Sequence, residues 1–326
     1  MQTISGSSNW KLIIRREADG ITILRAETCD KKAALPDELF GLPVTVLGDH
    51  ALAPSGFATD GEEITITCGP LSEDAEWSNR NLRELTLPKH LKQVMRYALM
   101  NCFDLQLLRL HDGIQSWYSG ALMNCRELLN FHITRVSDIQ GETLEFINHT
   151  ISQELDVTIT ETDGQMCRLI FPEYYEYFEE HWASRNFNIN IDGGGYSHHH
   201  CFRKKQISMD DYDELWLKFL GREHEPFCAL RIAWWRLRHP MGLKDGPRQD
   251  YLQYLQQHAA EAVRWLLNEK DHSGLLFLLQ TVQVEKDTLI EGCDLARELQ
   301  QTESLAILLE EQHKRFPVGF NKSFDL

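Results

Sequence analysis

LRELTLPKHLKQVMRYALMNCFDLQLLRLHDGIQSWYSGALMNCRELLNFHITRV, residues 82–136, decides the fold. Twenty-three residues separate Leu82 from Leu105 and Leu105 from Leu128. The same interval joins Leu85, Leu108 and Phe131; Leu87, Leu110 and Ile133; Val94 and Trp117; Ala98 and Ala121; Leu99 and Leu122; Asn101 and Asn124; Cys102 and Cys125. A fixed period near twenty means stacked units, because one such unit cannot bury its apolar face alone. Side chains alternate along a strand, so the leucines fill the interior while Glu84, Thr86, Leu107, Arg109, Asn130 and His132 point outward. These six are the candidate partner-binding residues. Five strands about 4.8 Å apart and four residues long span only a few hundred Å². A standard interface takes roughly 800 Å² per partner, so the sheet alone suits a peptide or a weak contact.

Working outward, Ala51-Leu52 precede Ala98-Leu99 by 47 residues, two periods plus one. Ile64 and Ile66 are therefore expected to supply the strand of an intervening unit, lengthened by the insertion GPLSEDAEWSN, giving four to five turns that end near Val136. In each turn Asn101 or Asn124 is expected to hydrogen-bond the main chain of its neighbours, with Cys102 or Cys125 packing as a small apolar residue. The strand LxxLxL, an apolar position and A-L-x-N-C at the turn resemble BspA-type leucine-rich repeats of bacteria. ITILRAETCDKKAALPDELFGLPVTVLGDHAL is similar to the N-terminal unit of that family, and the resemblance covers roughly residues 10–140. It implies a leucine-rich-repeat solenoid. Family members are often secreted or surface-anchored, which makes adhesion or glycan binding the alternative reading.

A hydrophobic share of 42 % and a charged share of 25 % are those of a folded globular protein. A net charge of −16 argues against nucleic acid, which demands clustered Lys and Arg. Eleven acidic residues against one base, Arg168, lie between Asp138 and Trp182. No two of the eight cysteines are closer than 23 residues, unlike a zinc knuckle or redox motif, so reduced thiols are expected. MQTISGSSNWKLIIRREADG lacks a basic region followed by an apolar core, and no stretch approaches eighteen apolar residues. A cytoplasmic location without membrane attachment is the expectation, provided Met1 is the natural start.

The middle changes character. LDVTIT and QMCRLIF around ETDG read as a β-hairpin. PEYYEYFEEHW reads as a helix with Pro172 in its first turn and Tyr174, Phe178 and Trp182 on one face. Those aromatics suit core packing, or sugar stacking in the adhesion reading. NFNINIDGGGYSHHHCF reads as two more strands around a glycine turn. If the histidine tract is a strand, His198 and His200 share one face while His199 and Cys201 share the other. That makes His198, His200 and Cys201 the candidate ligands of a metal-dependent enzyme, although the tract alone lacks the three or four converging donors zinc needs.

From Met209 onward the pattern is helical. Ser208 is a candidate N-cap and Gly221 a stop; Phe227, Leu230, Trp234 and Leu237 form a stripe ending before Pro240. AAEAVRWLLNEKD, HSGLLFLLQTV, DTLIEGCDLARELQQ and TESLAILLEEQHKRF follow, the last pair resembling an ankyrin-like helix pair without its TPLHxA hallmark. Phosphate loops, HExxH and GxSxG are absent from the sequence. The reading is an α+β repeat protein: a short leucine-rich-repeat solenoid (1–143), a β-rich connector with one aromatic helix (144–206) and a C-terminal α-helical array (207–326). Its expected function is non-catalytic binding of a protein or peptide, with no cofactor.

Overall fold

A computed structural model describes residues 2–55, 59–69, 75–136, 142–181, 186–222 and 224–317. The chain divides into two compact units, Met1–His224 and Glu225–Leu326.

The first unit is a β-solenoid walled by two sheets. Its N-terminal part supplies β1 (Gln2–Ser5), β2 (Trp10–Glu17), β3 (Gly20–Glu27), β4 (Lys32–Ala34), β5 (Glu38–Leu39), β6 (Leu42–Leu47) and β7 (Glu62–Thr67). Each later turn gives one strand to each wall: β8 (Glu84–Thr86) then β9 (Gln93–Val94), and β10 (Leu107–His111) then β11 (Ser116–Trp117). β12 (Asn130–Thr134), α1 (Thr143–Thr150), β13 (Leu155–Thr160) and β14 (Met166–Phe171) complete it. One wall runs β14-β13-β12-β10-β8-β4, the other β1-β7-β2-β3-β6-β9-β11 with β5 beside β6.

The 23-residue period becomes strand register. Leu85, Leu108, Phe131 and Val157 are successive Cα partners in parallel strands, and all four are fully buried. Solenoid architecture follows directly, since each turn contributes the same apolar side chains to one continuous core. α1 closes one end: the Trp117 indole donates to the Thr143 hydroxyl at 3.1 Å and stacks on Phe146 at 5.0 Å. The hairpin read from LDVTIT and QMCRLIF exists, with β13 and β14 antiparallel; β13 also pairs parallel with β12, so the ladder continues beyond Val136.

Three expectations are corrected. Ile64 and Ile66 do not form an intervening repeat: β7 pairs with β1 and β2, and β4 lies directly beside β8. The Ala51-Leu52 turn stacks on Ala98-Leu99, the Leu52 N–H donating to the Ala98 carbonyl at 2.7 Å, as Leu99 does to Ala121 at 2.9 Å. The repeated asparagines do not tie the main chain of neighbouring turns by their side chains. Asn101 and Asn124 adopt left-handed φ of 65° and 61°, which Asn tolerates, and the Asn124 amide donates to the Asn101 side-chain oxygen at 2.8 Å. The main-chain bonds come from the cysteines: Cys102 Sγ to the Leu52 carbonyl at 3.4 Å and Cys125 Sγ to that of Leu99 at 3.1 Å.

The third correction concerns the aromatic segment. Tyr175–His181 is a strand, β15, paired antiparallel with β16 (Asn186–Asp192) from Tyr175↔Asp192 to His181↔Asn186. The run PEYYEYFEEHW has aromatics two apart (Tyr175 and Tyr177) as well as four apart (Tyr174, Phe178 and Trp182), and the alternating NFNINID paired with its Tyr175–His181 part decides for the strand. α2 (Tyr196–His199), β17 (Phe202–Arg203), β18 (Gln206–Ile207), α3 (Met209–Glu214) and α4 (Trp216–Leu220) finish the unit. Ser208 caps α3 as expected, its hydroxyl accepting from the Asp211 N–H at 3.3 Å, and Tyr212 anchors the segment by donating to the Ile170 carbonyl at 2.6 Å.

The second unit is helical: α5 (Pro226–Arg238), α6 (Asp245–Gln257), α7 (Ala259–Glu269), α8 (His272–Thr281), α9 (Lys286–Glu298) and α10 (Thr302–Arg315). α6 is the helix the sequence reading did not assign; its fully buried side chains are only Tyr251 and Leu255. Lys270 turns the chain with φ 57°, and Asp271 caps α8 through the Gly274 N–H at 2.8 Å while pairing with Arg238. Gln301 reaches back to the Leu267 carbonyl at 2.6 Å, tying the start of α10 to the end of α7.

Candidate functional site

The β4-β8-β10-β12-β13-β14 wall sets the outward residues in rows. One row runs Lys32, Glu84, Leu107, Asn130, Asp156 and Ile170; the next runs Ala34, Thr86, Arg109, His132, Thr158 and Arg168. All six sequence-derived candidates therefore lie on one face in two adjacent rows. Their exposure increases along the wall: Glu84, Thr86, Leu107 and Arg109 are half-buried, whereas Asn130 and His132 are exposed. At the far end Asp156 and Ile170 are buried, while Thr158 and Arg168 stay half-buried, so the first row is accessible only from β4 to β12 and the second continues to β14.

Ion pairs across strands hold this face. Glu84 accepts from Lys32 at 2.5 Å and from Arg109 at 2.8 Å, and these two donors keep its carboxyl below the ordinary range. Arg168 grips buried Asp156 in a bidentate pair at 2.7 and 2.6 Å. His132 lies between the two arginines. Desolvation of the ring by the side chains packed around its base, then the charges of Arg109 and Arg168, hold its pKa below the usual imidazole value, which favours the neutral ring. The result is a semi-rigid surface of two guanidinium groups, a neutral imidazole, an amide and an aliphatic side chain. It offers hydrogen-bond donors and an apolar contact.

Lys32, Asp156, Thr158 and Arg168 share these rows and were not among the expected residues. Arg168 had a visible signal, since it is the sole base in the acidic stretch 138–182. Lys32 and Asp156 had none, because their strands join the ladder at 52 and 26 residues from their neighbours rather than at 23.

The histidine tract does not gather ligands. It forms α2 and the residue after it, not a strand, because Gly194 and Gly195 pack where a side chain cannot fit. A Cβ on Gly194 would meet the Phe219 ring at 2.4 Å, and one on Gly195 would meet the Pro172 carbonyl oxygen at 1.8 Å. Helical spacing then sends consecutive histidines apart. His198 is buried edge-on to Tyr212 and Phe219, and burial lowers its pKa to about 3. His199 bridges the carbonyls of Asn148 and Pro172 at 3.0 and 2.8 Å. His200 stacks on Tyr196 and His149, and the Cys201 thiol donates to the His198 carbonyl, burial pushing it up to about 12. Among the described residues no cluster of three or more His, Cys, Asp or Glu could hold a metal ion. Tyr174 is buried against Tyr196 and His199, so it offers no sugar-stacking platform; Trp182 lies outside the described residues.

No family model matches this chain, and no curated protein does. Among solved structures it resembles the T. pallidum leucine rich repeat protein TpLRR, at 19 % identity over 37 % of this chain and with a TM-score of 0.27. The match spans half the length of that protein. The molecule is a β-solenoid with leucines repeated at one height, followed by a helical unit, as its own strand register and core show.

Proposed function

We propose that this protein is a non-catalytic recognition module that binds a protein or peptide through the outward face of β8, β10 and β12. The observation that carries the reading is the pair of rows holding Glu84, Thr86, Leu107, Arg109, Asn130 and His132 on one rigid, partly exposed wall. Ion pairing fixes Glu84 and Arg109 before a partner arrives, which reduces the ordering cost of binding. The A-L-x-N-C turns support a BspA-type, bacterial origin. Six of the eight thiols are buried, which suits the cytoplasm, and among the described residues no helix is long and apolar enough to cross a membrane. Subcellular fractionation tests that location; recovery from the cell surface would reject it.

The test of the binding face is Arg109→Glu combined with His132→Glu. Both positions tolerate charge, although the first places a carboxylate beside Glu84 and costs no more than about 1 kcal/mol at this half-exposed site. Partners recovered from native lysate should be lost from the double variant while thermal unfolding changes little. Equal recovery by both proteins would reject this face.

A further inference from the structure

The β15–β16 ribbon lies outside both solenoid walls, and the proposed partner face does not explain it. Among the described residues no strand pairs with either of its outer edges. Tyr175 and Tyr177 are 57 % and 42 % exposed, and Ile189 is 59 % exposed. Positions 177 and 189 differ by one step across the ribbon (Tyr177↔Asn190, Phe178↔Ile189), so apolar groups are exposed on both of its faces. An unpaired strand edge carries free N–H and C=O groups and is a template for another chain unless charge guards it.

The two edges are guarded unequally. β15 carries Glu176, Glu179 and Glu180, whereas Asn186–Ile191 in β16 is uncharged and free of proline and glycine. We propose that β16 pairs antiparallel with β16 of a second copy of this chain, making a four-stranded sheet across a two-fold axis. Centred on Ile189, the register sets Ile189 opposite itself, Asn188 opposite Asn190 and Phe187 opposite Ile191. The register thus pairs asparagine positions with asparagine positions and apolar positions with apolar positions. The equivalent pairing of β15, centred on Phe178, would set Glu176 against Glu180 twice, and like charges directly opposed are unfavourable.

Charge also narrows the choice of edge. Two chains each carrying −16 repel, and β16 lets them meet along the uncharged Asn186–Ile191, its one acid, Asp192, standing at the strand end opposite Asn186 of the second copy. A contact between two seven-residue edges is smaller than the roughly 800 Å² per partner of a standard interface. The association is therefore a monomer–dimer equilibrium visible at tens to hundreds of micromolar, not a permanent dimer.

Sedimentation velocity on the full chain from about 1 to 300 µM should show mass rising from 37.9 kDa toward twice that value. Ile189→Lys and Ile189→Glu, each at an exposed position, should weaken association at least tenfold. Mixing these two variants should restore it, because position 189 faces itself and the charges become opposite. That complementation also shows that both variants fold. Glu176→Lys, on the other edge, should leave the equilibrium unchanged. A constant monomer mass for the wild type, dimers that survive both substitutions at 189, or a mixture that stays monomeric would overturn the proposal. A change produced by Glu176→Lys alone would assign the contact to β15 instead.

Discussion

Asn79 offers the sharpest test of how the solenoid tolerates its irregular first turns. It stands 23 residues before Cys102, in the position the later turns fill with cysteine, and it is 1 % exposed. Its amide donates to the Ala26 and Leu52 carbonyls, both at 2.8 Å, and its side-chain oxygen accepts from the Thr28 N–H at 3.1 Å. Asn79→Ala would leave the Ala26 carbonyl and the Thr28 N–H buried without this partner, while the Leu52 carbonyl keeps the Cys102 thiol. At about 1–3 kcal/mol for each of these two groups, with partial relaxation, the loss is about 2–4 kcal/mol. Asn79→Cys restores the residue of the regular turns, which can donate to a single carbonyl as Cys102 does, and should lose visibly less. Guanidinium unfolding followed by tryptophan fluorescence, with the two units fitted as separate transitions, measures both variants. If Asn79→Ala shifts the first unit by less than about 1 kcal/mol, side-chain bonding at this position does not hold the turns together.

Other outcomes follow from the same contacts. Leu108→Asp, at a fully buried position of the ladder, should cost about 3 kcal/mol or more and abolish the solenoid transition; native-like melting would contradict the assigned register. Burial depresses His198 from its ordinary value to about 3. A depressed folded pKa means the unfolded chain binds more protons, so the first unit should lose stability as pH falls from about 6.5 toward 3. His198→Phe should flatten that slope, and an unchanged pH profile would place the acid sensitivity elsewhere. Although burial pushes Asp271 upward, Arg238, the Gly274 N–H and Ser273 outweigh it and hold the carboxyl low. The helical unit should therefore weaken as pH drops below about 4, and Asp271→Asn should reduce that dependence in a pH-resolved denaturation series. Thiol labelling of the native protein should modify Cys68 first, with the six buried cysteines reacting only on unfolding; rapid labelling of Cys102 or Cys125 would contradict their packing.

Much of the architecture was readable from residues 82–136. A period of 23 places the same side chains at the same height in each turn, and alternation within each strand separates inside from outside. Those two regularities locate the core leucines and the six outward candidates. Ser208, Gly221 and the apolar stripes after Met209 likewise marked the helices, because caps and helical periodicity are local properties.

Partnership between distant segments was not readable. The 47 residues from Ala51 to Ala98 look like two turns but span one, with β7 departing to join β2. Loop-closure entropy rises only slowly with length, so the chain can leave and rejoin the stack without marking the sequence. PEYYEYFEEHW carries both a helical and a strand spacing of aromatics, and only the pairing of Tyr175–His181 with β16 settled it. The histidine tract became a helix because Gly194 and Gly195 pack against Phe219 and Pro172, contacts made from outside the tract. The sequence alone thus determined periodicity and sidedness, which depend on neighbours along the chain. Tertiary structure decided which segments meet, because that choice belongs to packing between residues the sequence keeps apart.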